Sequence, residues 1–198
     1  LIGAALISIS PIGENKPIMN NYVPMIENWC FITGIVTFMC GICINATLTI
    51  LSGGRNLINI ANISSSTLVI ASIACSVASY FQLDKLLYPL DLHFFYEMLF
   101  WSGGHVLQFT YVSGAMIGWI LLFEKCTSLK IESNTAYSAI FLLNAALALP
   151  AIYPHIAYKI DQPEFVEFFT IHMKYCGGIA PTLLIFITIL DILAKPTS

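Results

Sequence analysis

The chain has 198 residues, 58% of them hydrophobic and only 10% charged, with a mean hydropathy of +0.82 and a formal net charge of −3. So little polar surface excludes an ordinary soluble domain, and the absence of basic excess gives no reason to expect a nucleic-acid partner. The composition implies an integral membrane protein with lipid as its main solvent.

The first 13 residues, Leu1 to Gly13, are uncharged and read as the tail of a helix that starts earlier. Without an initial Met or a basic leader they are not expected to be a signal peptide. A proline-containing loop, 11–27, follows. Uncharged runs of 27, 28, 26 and 26 residues then occupy 28–54, 56–83, 98–123 and 133–158. Each can cross, because a ~30 Å hydrocarbon core needs about 20 helical residues at ~1.5 Å each. A last run of 16, from Tyr175 to Leu190, becomes a span if its helix begins near Glu167 and Lys174 snorkels toward the headgroups. Barrel strands would alternate apolar and polar residues, which these continuous runs do not do.

The expectation is an all-α, polytopic transmembrane helical bundle over 1–198, a fragment of a larger subunit. Its spans are 1–10 (partial), 28–52, 60–83, 95–123, 135–158 and 167–192. Short joints favour antiparallel neighbours. The six cysteines lie in or near spans without a disulfide spacing, and Cys40 and Cys43 read as packing residues.

Counting crossings puts Lys16, Lys85, Lys159 and Lys174 on one face with Glu14, Glu27, Asp84, Asp91, Glu97, Asp161, Glu164 and Glu167. The opposite face holds Arg55, Lys125, Lys130 and Lys195 with Glu124, Glu132 and Asp191. Lys and Arg divide evenly, so the positive-inside rule does not orient the bundle. The acidic excess of the first face makes it the expected exterior, or periplasmic, side.

All four histidines fall toward that face. His93 sits at the edge and reads as a solvated loop residue. His105 lies ~12 Å past Glu97 along a helix, His155 ~6 Å before Lys159 and His172 ~8 Å past Glu167. Three consecutive spans thus each bring an imidazole, a good ligand for copper, zinc or iron, to one half of the bilayer. Each alone could equally hydrogen-bond a backbone carbonyl. Glu97, Trp101, His105 and Gln108 share a helix face, which makes Glu97 and Gln108 candidate proton-relay groups, with Tyr111, Tyr153 and Tyr158 as further protonatable candidates. Gly103 and Gly104 leave room for another helix or a flat cofactor. Asn144 is expected to face the same way as His155, on a helix interrupted by Pro150 and Pro154.

The run 96–109, Tyr-Glu-Met-Leu-Phe-Trp-Ser-Gly-Gly-His-Val-Leu-Gln-Phe, resembles the sixth transmembrane helix of subunit I of the haem–copper oxidase superfamily, in its divergent b-haem oxidase and nitric oxide reductase branch. The resemblance extends the match to about six of that subunit's helices. It implies copper or non-haem iron held by His105 and by His155, which stands fifty residues downstream, where the family has a His-His pair. Haem b would be ligated from helices outside this chain. The implied activity is reduction of O2 or NO, with electrons from a cytochrome or quinol and with other oxidase subunits as partners, in a bacterial inner membrane. Two departures stand out: Pro154 and Ile156 flank a single His155, and Phe109 occupies the place of the oxidase tyrosine or reductase glutamate. His172 is an extrapolated third ligand, and the catalytic candidates are Glu97, Gln108 and Tyr153. Two other functions remain open: a transporter or structural multi-pass protein, and a haem-b carrier ligated by His105 and His172.

Overall fold

In a computed structural model, which describes residues 1–12, 16–127, 131 and 135–194, 79% of the described residues are helical and no strand occurs among them. Glu14, Lys130, Glu132 and Lys195, which contribute to the charge of the two faces, lie outside the described residues.

Helix α1 (Ile2–Ile9) precedes a loop, described from 16 onward, and α2 (Trp29–Ser52). Asn28 caps α2 by accepting from the Phe31 amide at 2.7 Å, and the helix stops at Gly53 and Gly54, whose positive φ of 65° and 120° an L side chain would resist. Asn56 caps α3 (Leu57–Leu83) through the Asn59 amide. Asp91 then accepts from the amides of His93 and Phe94 and starts α4 (Leu92–Thr127). That cap extends the helix three residues beyond the expected start at 95 and places His93 on its first turn instead of in a loop.

The fourth span is not one helix. It consists of α5 (Thr135–Ala148), a 3-10 turn (Leu149–Ile152) and α6 (Pro154–Ala157), because Pro150 and Pro154 have no amide hydrogen to continue the ladder. The fifth begins at Pro163, not near Glu167: Pro163 fits the first helical position, where its missing N–H is unneeded. It runs as α7 (Pro163–Cys176), is interrupted at Gly177-Gly178, and continues as α8 (Ile179–Leu193).

Among the described residues, five helical segments are long and apolar enough to cross a membrane: 29–52, 57–83, 92–127, 135–157 and 163–193. Their apolar residues do not keep to one stripe. Phe38, Leu51, Leu122, Leu142, Phe186 and Leu193 stand exposed on the helices, a distribution suited to an apolar surrounding and costly in water.

Helix α3 packs against α2, α4, α5 and α6, while α4 also meets α5, α7 and α8. The α3/α4 contact is the most extensive and is built from small residues. Ser72 Oγ donates to the Gly103 carbonyl at 2.7 Å, and the hydroxyls of Ser79 and Ser102 lie 3.0 Å apart, all buried. Among the described residues three apolar clusters form the core, two of them large. One gathers Leu57, Met116, Ile120, Tyr137, Phe141 and Leu184; the other gathers Leu83, Met98, Phe109, Ala151, Phe165 and Phe169. His105, His155 and His172 all border the second.

Candidate functional site: a histidine and aromatic pocket

His105 is 7% exposed on α4, and its ring is surrounded by Trp101, Tyr22 and Phe169, at centroid separations of 4.9, 5.6 and 5.4 Å. Its Nδ1 lies 2.8 Å from the Trp101 carbonyl oxygen and 2.8 Å from Tyr22 Oη. A carbonyl can only accept, so this geometry places the proton on Nδ1 and leaves the Nε2 lone pair as an acceptor, with the Tyr22 hydroxyl 3.5 Å away.

His155, on α6, packs against Phe165 at 5.2 Å and against the same Phe169 at 6.4 Å. Neither of its ring nitrogens has a partner among the described residues, although both are buried. Its carbonyl accepts from Gln82 Nε2 at 2.8 Å, which ties α6 to α3.

His172, 7% exposed on α7, lies between Phe109 and Phe168, at 5.4 and 5.7 Å. Its Nε2 is 2.7 Å from the Leu147 carbonyl, leaving Nδ1 without a partner among the described residues. That carbonyl lies in the last turn of α5, just before the Pro150 break. The end of α5 thus supplies the acceptor that orients His172.

Three expected features are changed by packing. Gly103 and Gly104 do not leave space for a cofactor: a Cβ on Gly103 would stand 2.1 Å from Ser76 Oγ, and one on Gly104 would stand 2.3 Å from the Tyr22 ring. Protein already fills both notches. Asn144 does not line the pocket beside His155. It is fully buried and donates to the Phe109 carbonyl and to Ser113 Oγ, both at 2.9 Å, so it joins α5 to α4. Phe109 forms one wall of the His172 enclosure.

Of the relay candidates, Glu97 is half-buried, accepts from Asn21 Nδ2 and lies 3.7 Å from His93 Nε2. Gln108 is half-buried. Tyr111 is exposed, and Tyr153, also exposed, packs on Phe168 at 5.8 Å. His93 itself is exposed.

Sequence reasoning misses Tyr22 and Phe169. Tyr22 is 83 residues from His105 and belongs to no helix. Burial, with the charge of Glu97 second, pushes its phenol up from 10.0 to about 12, so it is a neutral hydroxyl at physiological pH. Phe169 carries no signal beyond being one of many apolar residues on its span.

As metal ligands the three imidazoles fit individually better than as a set. His105 and His172 each have one nitrogen oriented by a carbonyl, the arrangement that fixes a ligating imidazole, and His155 has two buried nitrogens with no partner among the described residues. Yet Phe169 stands against both His105 and His155. Among the described residues no three His, Cys, Asp or Glu side chains form a metal-binding group.

The chain is 37% identical over 184 residues to an uncharacterized protein of Rickettsia prowazekii (strain Madrid E), covering 90% of this chain and 36% of that protein. It is 29% identical over 131 residues to an uncharacterized protein of Aquifex aeolicus (strain VF5), covering 63% of this chain and 33% of that one. The chain therefore spans about a third of the length of the curated relatives it matches. No family model matches it, and no solved structure does.

Proposed function

We propose that this chain is a five-span segment of an integral membrane protein, and that its histidine and aromatic pocket belongs to a redox subunit of the haem–copper oxidase kind. The supporting observation is that imidazoles from three successive spans meet one aromatic enclosure at the same end of the bundle, two of them on the ring of Phe169. Copper or iron, when bound, would be held by His105 and His155 and would polarise a diatomic oxidant during its reduction. His172 orients the α5/α7 junction. Haem b and the remaining donors come from parts of the protein beyond this third of its relatives' length. The pocket-bearing end, with its acidic loops, faces the exterior of a bacterial inner membrane, and the electron donor is a cytochrome or quinol.

What this chain's own residues do is exclude water and hold protons in place. Trp101, Phe165 and Phe169 close the pocket with aromatic surface, while the Trp101 carbonyl keeps the His105 proton on Nδ1.

The test is made on the full-length protein. A b-type haem spectrum with bound copper or iron is expected, and His105→Ala and His155→Ala should each remove the second metal while leaving helix content unchanged. Retained metal in both variants, or a colourless metal-free wild type, would overturn this reading. The transporter reading would then gain, favoured by the interrupted helix at Pro150 and the buried, half-satisfied amide of Asn144 beside it.

A further inference from the structure

The segment 18–26, which leads into α2, is a built element. Ile18 and Met25 pair as a short antiparallel bridge, with N–H to O=C distances of 2.7 and 2.9 Å. At its tip Asn20 Oδ1 accepts from the amides of Tyr22 and Val23, at 3.0 and 2.9 Å, the side-chain turn that asparagine forms without help from the rest of the fold. Met25 and Ile26 are buried against Phe31, Tyr96 and Phe100, so the base of the hairpin is anchored to α2 and α4.

This hairpin delivers one aromatic side chain to α4 at one place. The Tyr22 ring lies over Gly104, where a Cβ would come within 2.3 to 2.6 Å of three of its ring carbons, so only glycine leaves room. The hydroxyl then reaches His105, 2.8 Å from Nδ1 and 3.5 Å from Nε2, while the ring packs edge-on to Trp101 at 6.1 Å. Anchored turn, glycine notch and hydroxyl contact are separate observations that converge on one imidazole.

We propose that the Ile18–Met25 hairpin is a plug that seals the pocket from the acidic face, and that Tyr22 is a positioning residue for His105. The Trp101 carbonyl accepts the Nδ1 proton, and the Tyr22 hydroxyl, within reach of both ring nitrogens, holds the imidazole against turning, so that Nε2 is presented unprotonated to whatever the pocket holds. The assignment of a role to Nε2 rests on the proposed redox reading; the plug does not.

The experiment uses the full-length protein in lipid bilayers and follows deuterium exchange at the imidazole C2–H of each histidine, together with the nitrogen resonances of His105. In the wild type, exchange at His105 is expected to be about tenfold slower than at exposed His93, as for other groups reached only by local opening. Tyr22→Ala, which removes the plug's ring, and Gly104→Ala, which wedges it out, should each bring His105 close to the His93 rate and leave His172 slow. Tyr22→Phe should keep the slow exchange yet move the His105 nitrogen resonances, because the ring remains and the hydroxyl is gone. Fast exchange in the wild type, or slow exchange in both opening variants, would refute the plug; unmoved resonances in Tyr22→Phe would refute the positioning role. If one opening variant loses its helix content, the other decides. None of these readouts needs a bound metal, so a metal-free wild type with a sealed, Tyr22-bonded His105 would sink the redox reading alone.

Discussion

Alanine at Gly103 is expected to destabilise the bundle more than any other methyl addition on α4. The new Cβ would stand 2.1 Å from Ser76 Oγ and 2.6 Å from the Ser72 carbonyl oxygen. A hydroxyl can rotate away, but a backbone carbonyl inside a helix cannot, so α3 and α4 must separate. Separation weakens two buried polar contacts, Ser72 to the Gly103 carbonyl and Ser79 to Ser102. Overpacking costs roughly 1–3 kcal/mol, and each buried polar group left unpaired adds about 1–3 kcal/mol. Helix α4 carries its own controls. A Cβ on Gly114 or Gly118 meets nothing within 4 Å, so alanine at either should be neutral or stabilise by roughly 0.5–1 kcal/mol through helix propensity. Denaturant unfolding of the purified protein, followed by helicity, checks all three; equal effects at the three sites would contradict the close α3/α4 approach.

Asn144 is the second sensitive position. Its amide donates to Phe109 and Ser113 on α4 from a fully buried site, and among the described residues no other buried side-chain hydrogen bond joins α5 to α4. Asn144→Ala should cost about 1–3 kcal/mol, because Ser113 Oγ loses its partner in a dry interior. Asn144→Asp should cost more: a carboxylate would turn an acceptor, and in its charged form a buried charge, toward the Phe109 carbonyl. The change should also reach the pocket. Leu147, one turn along α5, offers the carbonyl that orients His172, and Phe109 is the ring against which His172 lies. The His172 nitrogen resonances are therefore expected to shift in Asn144→Ala, whereas those of His155 stay put. An unfolding midpoint equal to wild type, with unshifted His172, would show that the amide is not the tie between the two helices.

The helices are legible in the sequence because their signals are local. Long uncharged runs set the spans and Pro150 and Pro154 mark a break, whereas the starts fixed by the Asn28, Asn56 and Asp91 caps and by Pro163 are local signals that a boundary drawn from charge alone passes over. Differences at the ends have local causes too, as in α4, where the Asp91 cap overrides the uncharged-run boundary. The placement of three histidines at one end of the bundle is likewise a matter of counting along the chain. Contacts across the bundle are not legible. Nothing in Trp-Ser-Gly-Gly-His says whether a glycine faces a cofactor, a helix or a loop, and here α3 takes Gly103 while Tyr22 takes Gly104. Nor does spacing reveal that a phenyl ring stands against both His105 and His155. Asn144 turns to a different neighbour than periodicity suggests for the same reason: the proline break resets the helical phase between Asn144 and His155.

The redox function proposed for this protein depends on His105 and His155 sharing the ring of Phe169. The most direct measurement is solid-state NMR of the full-length protein in lipid bilayers, with labelled histidine and phenylalanine and assignment through His105→Ala and His155→Ala. Through-space correlations from the Phe169 ring to both imidazoles are expected, consistent with centroid separations of 5.4 and 6.4 Å. A Phe169 ring that correlates with neither, or with only one, would contradict the pocket and the function built on it.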